Sequence, residues 1–261
     1  MPRYAANLTM LWPELGDPYA RFTAAAAAGF TRVERLFLHD LDPERVGALL
    51  ADLGLSLVLF DPYPGDWQTG ERGLLALPGR EPELRESVLA ALDTAGRLGT
   101  GHLNVLAGVI PPGADREWCL ETAAANLAEL APAAEAAGVR LLLEAINPYD
   151  MPGYALPTIG EAAALARAVA HPAVGLQFDA YHVGRAGGDL TRDLDATFPL
   201  VGHVQVADVP GRHQPGTGSL PLARFLARLD ELGYRGAVGL EYLPEGTTDE
   251  ALAWLPPAQR G

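Results

Sequence analysis

Four apolar runs in the second half of the chain lead to an oxygen donor of the kind that binds metal ions. Leu141-Leu142-Leu143 leads to Glu144, Leu176-Gln177-Phe178 to Asp179, His203-Val204 to Gln205, and Val238-Gly239-Leu240 to Glu241. The separations are 35, 26 and 36 residues, so one donor falls in each of four successive segments. A single carboxylate after an apolar run is commonly a helix cap or a solvated loop charge. A consecutive set is different, because three anions within a few ångströms repel strongly unless a cation lies between them. Three carboxylates and one amide carbonyl form an all-oxygen set, which suits Mg²⁺ or Mn²⁺ better than Zn²⁺. Nearby, His182 stands three residues beyond Asp179, and Arg212 seven beyond Gln205. A guanidinium there is suited to bidentate capture of a carboxylate. Gly216-Thr217-Gly218 reads as a tight turn whose backbone NH groups could face an anion.

These donors need a frame that brings segment ends together. Strand-like runs near residues 4–8, 31–37, 56–60, 102–106, 140–144, 174–179, 201–206 and 237–241 alternate with helical patterns near 18–28, 43–53, 81–98, 116–137, 159–169, 190–197, 220–232 and 249–255. Gly29, Gly54, Gly99, Gly138 and Gly233 follow helical patterns, where a left-handed cap precedes the next strand. Eight such units in 261 residues predict a single domain over 1–261, a closed (β/α)₈ TIM barrel with its chemistry at the C-terminal ends of the strands. The rival, an open doubly wound sheet, would want a G-x-G-x-x-G turn after the first strand, and none is present. The Pro- and Gly-rich stretch 61–80 reads as a long loop on the chemical face.

Composition narrows the chemistry. The net charge of -14 argues against nucleic acid and anionic membranes as partners. All basic residues are arginine; without lysine, Schiff-base, pyridoxal-phosphate and P-loop chemistries fall away. One cysteine, Cys119, excludes internal disulfides and iron–sulfur clusters. The start Met1-Pro2-Arg3-Tyr4 has no signal-peptide core, and no 18-residue apolar run spans a membrane. The expectation is a cytoplasmic protein acting on a small molecule, with homo-oligomerisation left open.

Read in order, several motifs resemble the hydroxypyruvate isomerase family among the xylose-isomerase-like barrels, over nearly the whole chain. They are Ala5-Ala6-Asn7-Leu8-Thr9-Met10-Leu11, Gly65-Asp66-Trp67 followed by Gly70-Glu71-Arg72-Gly73, Pro78-Gly79-Arg80-Glu81, Glu144-x-Ile146-Asn147, Asp179-x-Tyr181-His182, Gly202 to Asp208, Pro215-Gly216-Thr217-Gly218 and Gly239-x-Glu241-Tyr242. The resemblance implies an aldose–ketose type isomerase that interconverts hydroxypyruvate and tartronate semialdehyde through an enediolate. It implies a metal on Glu144, Asp179, Gln205 and Glu241, with Glu144 and Glu241 also serving as catalytic base and acid. His182, Arg212, Asp208 and Arg72 are then the expected substrate contacts. A 2-oxo-tetronate isomerase, a keto-sugar 3-epimerase and an inosose dehydratase on the same barrel are the alternatives. Related epimerases carry histidine where this chain has Gln205. An abasic-site endonuclease would need a histidine-rich multi-zinc cluster and a basic groove, against six scattered histidines and the acidic balance. A barrel that merely binds a sugar acid would lack a ligand or the base. Two positions depart from the family pattern: Ala145 replaces a proline, and Ser219 replaces a glutamate after the Gly-Thr-Gly turn.

Overall fold

The computed structural model describes residues 3–261, so Met1 and Pro2 at the start of the N-terminal reading lie outside the described residues. Eight strands, β1 (Arg3–Asn7), β2 (Arg32–Phe37), β3 (Ser56–Asp61), β4 (His102–Asn104), β5 (Arg140–Glu144), β6 (Val174–Asp179), β7 (Val201–Val206) and β8 (Ala237–Leu240), pair in parallel and close β8 onto β1. The closed barrel expected from the eight repeats is therefore what forms. Around it run α1 (Ala20–Ala27), α2 (Pro43–Leu53), α3 (Glu81–Leu98), α4 (Arg116–Ala136), α5 (Ile159–Val169), α6 (Ala180–Arg185), α7 (Leu190–Thr197), α8 (Leu222–Glu231) and α9 (Thr248–Ala251). The helical patterns matched all of these but α6, a short turn of helix that starts directly on Asp179. No helix among the described residues is long and apolar enough to cross a membrane.

Local chemistry explains the boundaries. Asp42, Asp115, Thr158 and Asp189 each cap a helix by accepting backbone NH bonds. Gly54 and Gly99 end α2 and α3 in the left-handed conformation. Helix α8 buries Leu222, Phe225 and Leu229 on one stripe, and Phe225 stacks at 5.4 Å on Phe178, an outward side chain of β6. Alternate residues of the strands turn inward. On β5 these are Arg140, Leu142 and Glu144; on β6 they are Gly175, Gln177 and Asp179. The interior thus grows more acidic toward the C-terminal ends.

At the opposite end, His102 sits at the start of β4, its Nδ1 3.4 Å from the Val58 carbonyl and its ring 6.3 Å from that of His203. Burial, then the neighbouring His203 and Arg140, push its pKa down to about 4 from 6.5. The folded state therefore resists a proton that the unfolded chain accepts. The stabilising contribution is whole above pH 6.5 and is lost as pH falls toward 4. Urea melts of wild type and His102→Gln should show the wild type losing stability relative to the variant across that window; parallel curves would refute it.

Candidate active site

The four expected donors lie at or just after the C-terminal ends of β5, β6, β7 and β8, and none is more than 4% exposed. Glu144 ends β5 and accepts at Oε2 from Asn104 Nδ2, the last residue of β4, at 2.9 Å. Asp179 ends β6 and caps α6: its Oδ1 accepts from the backbone NH of Tyr181 and His182, at 2.7 and 3.4 Å. That cap turns Oδ2 into the barrel, where it has no hydrogen-bond partner among the described residues. Glu241 follows β8; its Oε1 accepts from Arg212 Nη2 at 2.8 Å, and its Oε2 is likewise buried without a partner. Gln205 lies opposite Asp179 on one side and Gly239 on the other. Its Oε1 accepts from Gln177 Nε2 at 2.5 Å and its Nε2 donates to Glu34 at 2.8 Å.

Burial of so many carboxylates has an electrostatic cost that shows in their proton affinities. Burial, reinforced by the charge of Asp179, pushes Glu144 up to about 8. Glu241 is raised well above the usual carboxylate range by burial, although Arg212 pulls the other way. Asp179 is also raised by burial, with the same opposing pull from Arg212. Burial works against the Arg212 cation too, but Glu241, Asp179 and Glu144 outweigh it and raise its pKa. The donors are hard oxygens, and two of them are orphaned inside the protein. Orphaned hard oxygens of this kind are what a divalent cation site offers.

Single ligand atoms from Glu144, Asp179 and His182 lie within 4.8 Å of one another, so the imidazole competes with Gln205 as a ligand. Its hydrogen bonds favour another role. Asn147 Oδ1 accepts from the backbone NH of Tyr149 and Asp150, which leaves Asn147 Nδ2 facing His182 Nδ1 at 2.8 Å. His182 Nδ1 is thus an acceptor, and Nε2 carries the proton. Burial and then Arg212 hold its pKa well below 6.5, so the ring is neutral. It presents an N–H donor to the site, 3.8 Å from Asp179.

A cavity of about 240 Å³ opens on this cluster, bounded by Glu144, Glu241, His182, Arg212, Arg72 and Trp67 among others. Arg212, in the left-handed region at φ 56°, reaches in from the loop after β7. Arg72 lies 4.1 Å over the Trp67 ring and donates to the carbonyls of Trp67 and Glu71. The Gly-Asp-Trp loop is itself fastened: Asp66 caps the turn at Trp67–Thr69, and Glu71 pairs with both the Asp66 NH and Arg80. Gly73 has φ +120° and packs so closely that a Cβ would fall 2.3 Å from the Leu106 carbonyl, which holds this loop against the next one.

Asp208 does not face the cavity as expected. Its two oxygens accept from the backbone NH of Val209, Leu220, Gly216 and Gly218, at 2.9–3.0 Å. The anion that the Gly-Thr-Gly turn was expected to greet is this side chain, and no capacity is left for substrate. Ser219 is exposed on the same loop. Sequence reasoning missed Asp61, Asn104, Gln177 and Glu34, all buried in the barrel. Asp61 ends β3 as Glu144 ends β5, and the same apolar-run signal could have found it. Burial, then Glu144, Glu241 and Glu34, push its pKa well up.

The geometry has relatives. A crystal structure described as AP endonuclease, family 2, from Brucella melitensis superposes with a TM-score of 0.96 at 40% identity, covering 99% of this chain and 100% of that one. The 2-oxo-tetronate isomerase of Cupriavidus necator is 44% identical over 257 residues, 98% of each chain. The hydroxypyruvate isomerase of Escherichia coli is 38% identical over 257 residues, 98% of this chain and 99% of that one. Residues 22–258 match the family model of the xylose isomerase-like TIM barrel, and the chain belongs to that family.

Proposed function

We propose that the protein is an aldose–ketose type isomerase that interconverts hydroxypyruvate and tartronate semialdehyde. The observation that carries this reading is the placement of Glu144 and Glu241 on one small cavity at the mouth, with Arg212 bonded to Glu241 beside it. Moving a carbonyl between neighbouring carbons requires a base that takes a proton from one and an acid that returns a proton to the other. Glu144 and Glu241, carboxylates that both line the cavity, are suited to exchange these roles. The neutral His182 Nε2–H donates to a substrate oxygen as charge develops there, and Arg212, with Arg72 at the rim, holds the carboxylate. Glu144, Asp179, Gln205 and Glu241 would hold Mg²⁺ or Mn²⁺, which when bound stabilises the enediolate oxygens electrostatically.

A second reading, 2-oxo-tetronate isomerisation, is favoured by the name of the Cupriavidus relative. The chemistry is the same with one more carbon. An endonuclease is not supported: the one cluster of metal-type His, Cys, Asp and Glu side chains among the described residues contains a single histidine. Proton NMR in D₂O with each acid tests the proposal. Isomerisation with solvent deuterium entering the product is expected, abolished by exhaustive chelation and restored by Mg²⁺ or Mn²⁺. Turnover that survives chelation would remove the metal from the reading; inertness toward both acids would remove the substrate class.

A further inference from the structure

An amide ligand has an ambiguity that a carboxylate lacks. The two ends of a glutamine side chain are nearly identical in shape, yet only the oxygen end binds a hard cation. We propose that Glu34 is a positioning residue that fixes which end of the Gln205 amide faces the site. The inference rests on the reading of Gln205 as a metal ligand.

Glu34 lies on β2, wholly buried beneath the donor arc. Its Oε1 accepts from Gln205 Nε2 at 2.8 Å and from Asn7 Nδ2 at 2.9 Å, while its Oε2 lies 2.6 Å from His203 Nε2. The carboxylate therefore ties together side chains from β1, β2 and β7. It reaches β7 past β8 because residue 239 has no side chain: a Cβ at Gly239 would fall 2.3 Å from both Glu34 oxygens. A carboxylate only accepts, so the end of Gln205 that meets Glu34 is the NH₂ end. The oxygen is thereby turned the other way, toward Gln177. Gln177 Nε2 donates to one lone pair of that oxygen, and an amide carbonyl has two. His203, two residues before Gln205 on the same strand, supplies the partner that a buried carboxylate needs. Glu34 makes no hydrogen bond to the carboxylates assigned to proton transfer; its charge raises the proton affinity of Glu241 and Asp179. Its hydrogen-bonded link to the donor set is Gln205, so exchanging the two residues, which keeps the total charge, separates the two effects.

The test is calorimetric titration with Mn²⁺ alone, alongside thermal melts, of wild type, Glu34→Gln, Gln205→Leu and the exchange Glu34→Gln/Gln205→Glu. An amide at position 34 can donate as well as accept, so Gln205 is free to turn its nitrogen inward. Partners of a ligand typically matter by about 10–100-fold in metal affinity, and Glu34→Gln should weaken Mn²⁺ by that much. The exchange variant keeps an amide–carboxylate bond of reversed polarity, and a carboxylate presents oxygen whichever way it turns. It should bind Mn²⁺ at least as tightly as wild type. Wild-type affinity in Glu34→Gln overturns the proposal, as does an exchange variant that folds but stays tenfold weaker. If Glu34→Gln fails to fold, the exchange variant alone decides on the same criterion. Undiminished Mn²⁺ binding by Gln205→Leu would instead overturn the ligand assignment, and with it the reading beneath this proposal.

Discussion

Glu144→Gln and Glu241→Gln should each lower turnover by about 10²–10⁴-fold while the barrel stays folded. The amide keeps the shape of the side chain and one oxygen donor, but it cannot accept a proton. Both carboxylates have proton affinity raised chiefly by burial, so neutralising Glu144 relieves a desolvation cost, whereas neutralising Glu241 also removes the charge paired with Arg212. The melting temperature of metal-free Glu144→Gln should therefore equal or exceed that of the wild type, and that of Glu241→Gln should fall below Glu144→Gln. The rates are read by NMR at saturating hydroxypyruvate or 2-oxo-tetronate. A variant that keeps more than about a tenth of the wild-type rate, a loss of only ~1.4 kcal/mol, would release that residue from the proton-transfer role.

Asp208→Ala should damage both stability and substrate binding, although Asp208 touches no substrate. Four backbone NH groups of the loop between β7 and α8 converge on this one carboxylate. Hydrogen bonds to a charged acceptor each contribute roughly 1.5–3 kcal/mol and are not additive. A net loss of about 2–4 kcal/mol is expected in urea melts, since some NH groups will find water. The same loop carries Arg212, so KM should rise by more than about tenfold with a smaller fall in kcat, the pattern of lost uniform binding. Asp208→Asn, which keeps one acceptor, should fall between. Unchanged KM together with unchanged stability would show that the carboxylate anchors nothing.

The barrel and most of its mouth were legible because both depend on short-range pattern. A parallel strand buried on both faces reads as an apolar run, and a functional side chain at its end interrupts that run visibly. Glu144, Asp179 and Glu241 announce themselves in this way. Asp61 obeys the same rule, but it borders a Pro- and Gly-rich stretch and was counted with that loop. Glu34 gave no such signal: it lies in Arg32-Val33-Glu34-Arg35, where charge suggests a solvated strand. Its burial comes from Asn7, His203 and Gln205, which are distant in sequence. Asp208 was misassigned for a related reason. An acid close to a glycine turn looks like a substrate contact when its hydrogen bonds to residues eight, ten and twelve positions later are unseen. The short helix α6 is too brief to carry a periodic pattern and is set by the Asp179 cap.

The fastening of the loop after β3 has a consequence for how the site chooses its substrate. Ala76 NH bonds to the Ala107 carbonyl at 2.8 Å, Gly73 NH to the Pro64 carbonyl at 2.9 Å, and Glu71 clasps Arg80. The segment bearing Trp67 and Arg72 is thus tied to the rest of the chain, so it has less conformational entropy left to lose when substrate arrives. On the proposed function, discrimination between a three-carbon and a four-carbon acid then rests more on the outline of the wall than on the timing of a closing gate. Altering that preference becomes a matter of replacing individual rim side chains, with loop length and hinge composition of little use.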